Sequence, residues 1–149
     1  MSKEILYKAK YKGWRELPKE KWWVEGFIWG AIGGTFIIPG GFGICYDYKT
    51  GVMTAKAIEV DPKTLCQYTG KTDTTGRKIF ENDIVGFEDC ASTENGYSEH
   101  SCAGQVGWDD EELSYYVTNR LSAESWEVLQ ECTVLGNIFD DPELLTEYL

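Results

Sequence analysis

The stretch Leu65-Cys66-Gln67-Tyr68-Thr69-Gly70-Lys71-Thr72-Asp73-Thr74-Thr75-Gly76-Arg77-Lys78-Ile79-Phe80-Glu81-Asn82-Asp83-Ile84-Val85-Gly86-Phe87-Glu88 decides how this chain folds. Short apolar runs alternate with polar turns. Leu65 to Thr69 reads as a short extended segment. Asp73-Thr74-Thr75-Gly76 reads as a turn, with Asp73 accepting backbone hydrogen bonds and Gly76 taking a positive φ. Arg77 to Phe80 runs into a second turn, Glu81-Asn82-Asp83, and Ile84 to Glu88 follows as a strand. Tyr68 reads as a core or sheet-edge anchor, although Gln67 to Gly70 also has the makings of a pocket wall. Asp83, at the opening of a strand, reads as a structural carboxylate.

The same rhythm extends outward in both directions. Ile5 to Lys12 alternates, with Ile5, Tyr7, Ala9 and Tyr11 on one face and Lys8, Lys10 and Lys12 on the other, the period of a half-buried strand. Trp22 to Trp29 is aromatic and β-branched and favours a strand. Thr35 to Ile38 follows a glycine break. Gly43 to Tyr48 and Val52 to Val60 flank Lys49-Thr50-Gly51, a hairpin signal. Downstream, residues 89–103 are rich in Ser, Thr, Glu, Asn and Gly and read as a surface loop. Gln105 to Trp108 and Ser114 to Thr118 read as a hairpin across the acidic turn Asp109-Asp110-Glu111-Glu112. Residues 121–131 fit a capped helix and a strand equally. Cys132 to Phe139 reads as a strand in which Asn137 bonds neighbouring backbone, and Asp141-Pro142-Glu143 opens a short C-terminal helix. Many short strands between glycine turns predict a mainly β chain, a small antiparallel barrel or sandwich. We expect an aromatic, glycine-rich segment over residues 1–57 and a compact core over residues 58–149, joined or continuous.

Composition narrows the chemistry. The chain has 149 residues and a formal net charge of −11. Residues 1–75 carry 11 basic and 8 acidic side chains, and residues 76–149 carry 3 and 17. The mean field repels phosphate backbones, so nucleic acid is an unfavoured partner. No apolar run reaches the ~20 residues of a membrane helix. With no secretory signal at the N-terminus, we expect a cytoplasmic protein. The five cysteines, Cys45, Cys66, Cys90, Cys102 and Cys132, are odd in number and widely spaced, as expected of free thiols. Cys90, His100 and Cys102 match no structural zinc spacing, so no metal is expected. Gly30 to Gly43 lacks a P-loop's Lys-Ser/Thr ending, and nothing signals an orienting partner for His100. We therefore expect no cofactor and no catalysis.

Three ordered motifs carry a resemblance. Ile58 to Asp73 with Gly76 to Val85 resembles the core of the phage and prophage YopX-like family, typically V-x-P-x-T-V-x-Q-Y-T-G-L-x-D-x-N-G-x-x-I-Y-E-G-D-I-V. Val134 to Leu145 resembles the family's ending, V-I-G-N-I-Y-E-N-P-E-L-L. Trp23-Val24-Glu25-Gly26 resembles a pattern found ahead of the core. Together these cover residues 22–149. Asn82 stands where Gly is usual and Lys71 where Leu is usual. The resemblance implies an SH3-like barrel core and self-association, and it supplies no catalytic residues.

Three functions fit these features. The first is a self-associating interaction protein, in which the strand Ile5–Lys12 pairs with a neighbour's edge or acidic face. The second is an acidic decoy that imitates nucleic acid and inhibits a basic host protein, such as a nucleic-acid-handling factor. For the interaction protein, the partner is a second copy or a host or phage protein. The third is a single-strand nucleic-acid-binding barrel using Trp14, Trp22, Trp23 and Trp29 with the early lysines. The candidate interaction residues are Lys8, Lys10, Lys12, Trp22, Trp23, Tyr68, Asp109, Asp110, Glu111 and Glu112.

Overall fold

Alternation in Tyr7-Lys8-Ala9-Lys10 forms strand β1 (Tyr7–Lys10), and the aromatic run after it forms β2 (Trp23–Ala31). The computed structural model describes residues 5–31, 33–39, 44–93, 96–118, 123–124 and 131–147. The chain divides into two compact units, Met1–Tyr68 and Thr69–Leu149. The change in composition suggests a boundary near Asp61-Pro62, and the family-like core begins at Ile58.

The first unit continues with β3 (Gly34–Pro39), β4 (Ile44–Asp47), β5 (Val52–Ala55), β6 (Ile58–Glu59) and the start of β7 (Cys66–Thr72). Its main sheet runs β6-β3-β2-β1-β7, and its named pairs are antiparallel. One isolated bridge, Tyr11↔Val60, ties the end of β1 to the end of β6. Ala9, Val24, Ile37 and Val60 form the core beneath, with Tyr7, Tyr11, Ile58 and Leu65 packed against it. Burying Val24, Ile37 or Val60 contributes roughly 1.5–3 kcal/mol each. Gly26 is required where β2 meets β3, because a Cβ there would enter the Ile38 carbonyl. Strands β4 and β5 form a separate two-stranded hairpin, as the Lys49-Thr50-Gly51 signal predicted, with Gly51 at φ 70°.

The second unit holds the end of β7, β8 (Lys78–Phe80), β9 (Asp83–Thr93), β10 (Gly96–Asp109), β11 (Ser114–Thr118), β12 (Ala123–Glu124) and β13 (Thr133–Asn137). One helical turn, α1 (Leu144–Glu147), follows. Five strands form an antiparallel sheet in the order β12-β11-β10-β9-β13. Ile79, Val85, Phe87, Val106, Tyr115, Val117, Cys132 and Val134 fill its core.

The fold is mainly β and antiparallel, as expected. A closed barrel is not found among the described residues. The loop expected over 89–103 is also replaced. It is a hairpin, with Asp89↔His100 and Ala91↔Ser98 paired. Ladder hydrogen bonds come from the backbone, so a polar hairpin needs no apolar period to pair. Of residues 121–131, only Ala123–Glu124 and Glu131 are described, and the first two are strand. Most of that ambiguous segment lies outside the described residues.

Candidate interaction site

The first unit builds its site around Lys10. Strand pairing sets Lys10 opposite Trp23, and the segment between β1 and β2 lays Trp14 and Trp22 over it. The ammonium Nζ lies 3.7 Å from the Trp14 ring centroid, 4.5 Å from Trp22 and 5.5 Å from Trp23. Lys10 is 1% exposed. The negative ring faces stabilise a cation taken out of water. The indoles are themselves held in place. Trp22 Nε1 donates to the Leu17 carbonyl at 2.9 Å, and Trp14 Nε1 donates to Asp61 Oδ2 at 3.3 Å. The two rings meet edge to face at 4.7 Å. Lys8 lies 5.0 Å from the Trp23 ring and Arg15 lies 4.3 Å from Trp14.

The sequence-selected residues therefore divide. Lys8, Lys10, Trp22 and Trp23 come together in this cluster, but Lys10 is interior and β1 is paired on both sides. The strand Ile5–Lys12 thus has no free β1 edge to lend a neighbour. Lys12 stays at the surface, its Nζ 3.3 Å from Glu59 Oε2. Beside it lies a groove of about 400 Å³ lined by Lys12, Trp14, Arg15, Gly34, Glu59 and Asp61. Tyr68 is buried, and its N–H bonds the Leu6 carbonyl at 2.8 Å.

Large apolar side chains stand exposed on this unit, and of those that follow only Trp29 was singled out from the sequence. Phe27, Trp29, Tyr48 and Met53 are 48%, 50%, 89% and 66% exposed. Trp29 pairs across the strands with Phe36, ring centroids 6.4 Å apart, and Phe27 pairs with Ile38. A signal was present. Past Gly26 the run Phe27-Ile28-Trp29 is apolar on both faces, which a sheet with one wet face does not require.

In the second unit the acidic turn is preformed. Asp109 Oδ1 accepts the Glu111 and Glu112 amides at 2.9 and 3.2 Å. Asp110 Oδ1 accepts Trp108 Nε1 at 2.8 Å. Glu111, Glu112 and Leu113 are exposed, and Leu113 holds φ 53°. Residues 1–68 carry net +3 and residues 69–149 carry net −14.

The motif carboxylates serve the backbone. Asp73 Oδ1 accepts Thr75 N, Thr75 Oγ1 and Arg77 N at 2.8, 2.7 and 2.9 Å, and Oδ2 accepts Val134 N at 2.9 Å. Burial pushes its pKa upward, but these hydrogen bonds outweigh it and hold the carboxyl down at about 2. Asp83 Oδ2 accepts the Phe80 amide at 2.9 Å. Asn137 Oδ1 accepts the Phe139 and Asp140 amides, as its position predicted. Burial first, then the charges of Asp73 and Asp83, pushes the Cys132 thiol up to about 11. Cys90, His100 and Cys102 lie on β9 and β10, their side chains outside the described residues. No helix among the described residues is long and apolar enough to cross a membrane.

Among solved structures, the chain is similar to the crystal structure of protein EF1440 from Enterococcus faecalis, with a TM-score of 0.58 and 20% identity over 97% of this chain and 99% of that one. At that identity the likeness is one of fold. No curated protein matches the chain. The family model described as YopX protein matches residues 41–146, reaching from the β4–β5 hairpin to α1 and taking in both buried-carboxylate turns. The chain belongs to the YopX family.

Proposed function

We propose that this chain is a non-catalytic, self-associating protein-interaction module, a phage or prophage accessory protein working in the bacterial cytoplasm. The observation that carries the reading is the exposed apolar surface of the first unit, with Phe27, Trp29, Tyr48 and Met53 all about half exposed or more. Large apolar patches on soluble proteins mark interaction surfaces. The β4–β5 hairpin adds weight. Tyr46 and Met53 are cross-strand partners on one face, and Tyr46 stacks edge-on with Tyr48 at 4.8 Å. A two-stranded hairpin is marginal in water without something packed on it. The SH3-like core expected within residues 58–149 has its support in the five-stranded antiparallel sheet β12-β11-β10-β9-β13, which covers one buried core. Asp73 and Asp83, the buried motif carboxylates, are engaged by backbone amides, which suits structure rather than proton transfer.

Light scattering on the full chain tests the proposal. A mass above the 16.9 kDa monomer that rises with concentration is expected, and Phe27→Ser with Trp29→Ser lowers it. A monomer at every concentration overturns it.

A further inference from the structure

Building on the self-association proposed above, we infer that the Phe27/Trp29/Phe36 face of the first unit seats the acidic β10–β11 turn of a second copy, so that copies join head to tail. The face is aromatic, and its cation is at hand. Phe36 is the cross-strand partner of Glu59, whose carboxylate meets Lys12. Lys12 and Arg15 are exposed, and the unit is net positive. The occupant has the reciprocal chemistry. The turn offers Leu113, 72% exposed, and Trp108, 40% exposed, beside the exposed Glu111 and Glu112. It sits on the unit that carries −14.

Apolar contact supplies the attraction, and charge complementarity sets the pairing. Like-charged pairings, such as turn against turn, are disfavoured. The turn needs little ordering on docking, because Asp109 and Asp110 already fix its backbone and the Trp108 ring. A contact between different surfaces is heterologous, so a head-to-tail pair keeps one unused turn on one copy and one unused face on the other.

That geometry has a distinctive test. The face variant combines Phe27→Ser with Trp29→Ser, and the turn variant combines Glu111→Gln, Glu112→Gln and Leu113→Ser. All five side chains are exposed, and circular dichroism with denaturant melts confirms folding. Each variant alone is expected to be monomeric by light scattering while the unmodified chain associates. An equimolar mixture forms a one-to-one dimer, because one copy retains the face and the other the turn. The unmodified complex weakens about tenfold between low salt and ~1 M salt, where the Debye length shrinks to ~3 Å. If the unmodified chain associates but the mixed variants stay monomeric, head-to-tail docking is overturned and self-association stands. If either variant associates as the unmodified chain does, the docking surfaces are wrong. A monomeric unmodified chain overturns both readings.

Discussion

The Asp73 carboxylate accepts the Val134 amide at 2.9 Å, across 61 residues of chain. This bond joins a local turn to strand β13, and its neighbours reinforce it. Thr74 N donates to the Cys132 carbonyl at 3.1 Å, and the Thr74 and Thr133 hydroxyls meet at 3.0 Å. Asp73→Ala strands several amide donors, Val134 N among them in a buried position. We expect a loss of about 3 kcal/mol in urea unfolding, with Asp73→Asn recovering only part of it. The pH dependence has a fixed sign. The folded pKa, about 2, lies below the ordinary 3.8, so the stabilisation is present above ~4 and is lost as pH falls toward 2. Acid unfolding of Asp73→Asn lacks that component. An unchanged acid limb in the variant contradicts the assignment.

Lys10 presents the second case. Its ammonium is enclosed by Trp14 and Trp22 at 3.7 and 4.5 Å, so Lys10→Met keeps the stem and removes the charge. A desolvated cation–π contact contributes about 2 kcal/mol. Chemical denaturation reads a loss of that order. Tryptophan emission shifts with it, since the ring faces lose their cation. Lys12→Met, at the exposed end of the same segment, changes stability by less than about 0.5 kcal/mol.

The third prediction concerns Asn82, which holds φ 68° where the family pattern has Gly. Its backbone donates to the Val106 carbonyl at 2.8 Å and accepts from Ile138 N at 2.9 Å, while its Oδ1 accepts Gln105 Nε2 at 3.0 Å. The left-handed region costs an ordinary L-residue about 1 kcal/mol, and Asn and Gly tolerate it. Asn82→Ala is expected to destabilise by about 1–2 kcal/mol, and Asn82→Gly by less. Thermal melts giving the reverse order reject this account.

What the sequence showed depended on how far each feature reaches. The Asp73 turn, the Lys49-Thr50-Gly51 hairpin and the Asn137 turn were readable because their hydrogen bonds close within a few residues. The bond from Val134 to Asp73 was not, since nothing local marks a partner so far along the chain. Strand alternation placed Lys10 correctly on the face opposite Ala9, but alternation cannot say what covers that face. The cover comes from Trp14 and Trp22, in a segment with no strand period. The hairpin through Asp89 and His100 was hidden for another reason. Its pairing is made by backbone groups common to every residue, while its composition is that of a loop. Phe27 reads as an ordinary strand residue and Trp29 as one more indole, because strand propensity does not say that, among the described residues, β3 alone flanks that part of β2.

Cys132 provides the last prediction. It is buried in the second unit's core, next to the charges of Asp73 and Asp83. Burial disfavours the thiolate, and the two carboxylates add to that, so its pKa rises from 9.0 to about 11. At neutral pH the thiol is protonated and a poor nucleophile. Labelling by a thiol reagent therefore proceeds only as the unit opens, and its rate follows unfolding. The sign is opposite to that of Asp73. A folded pKa above the unfolded one gives stabilisation that is present below pH ~9 and lost as pH rises toward ~11. Cys132→Ser keeps the small polar volume without a thiol that titrates in this range, so its stability is flatter over that window. Rapid labelling of Cys132 in the folded protein at neutral pH, or an equal alkaline loss in Cys132→Ser, contradicts the buried, charge-flanked thiol.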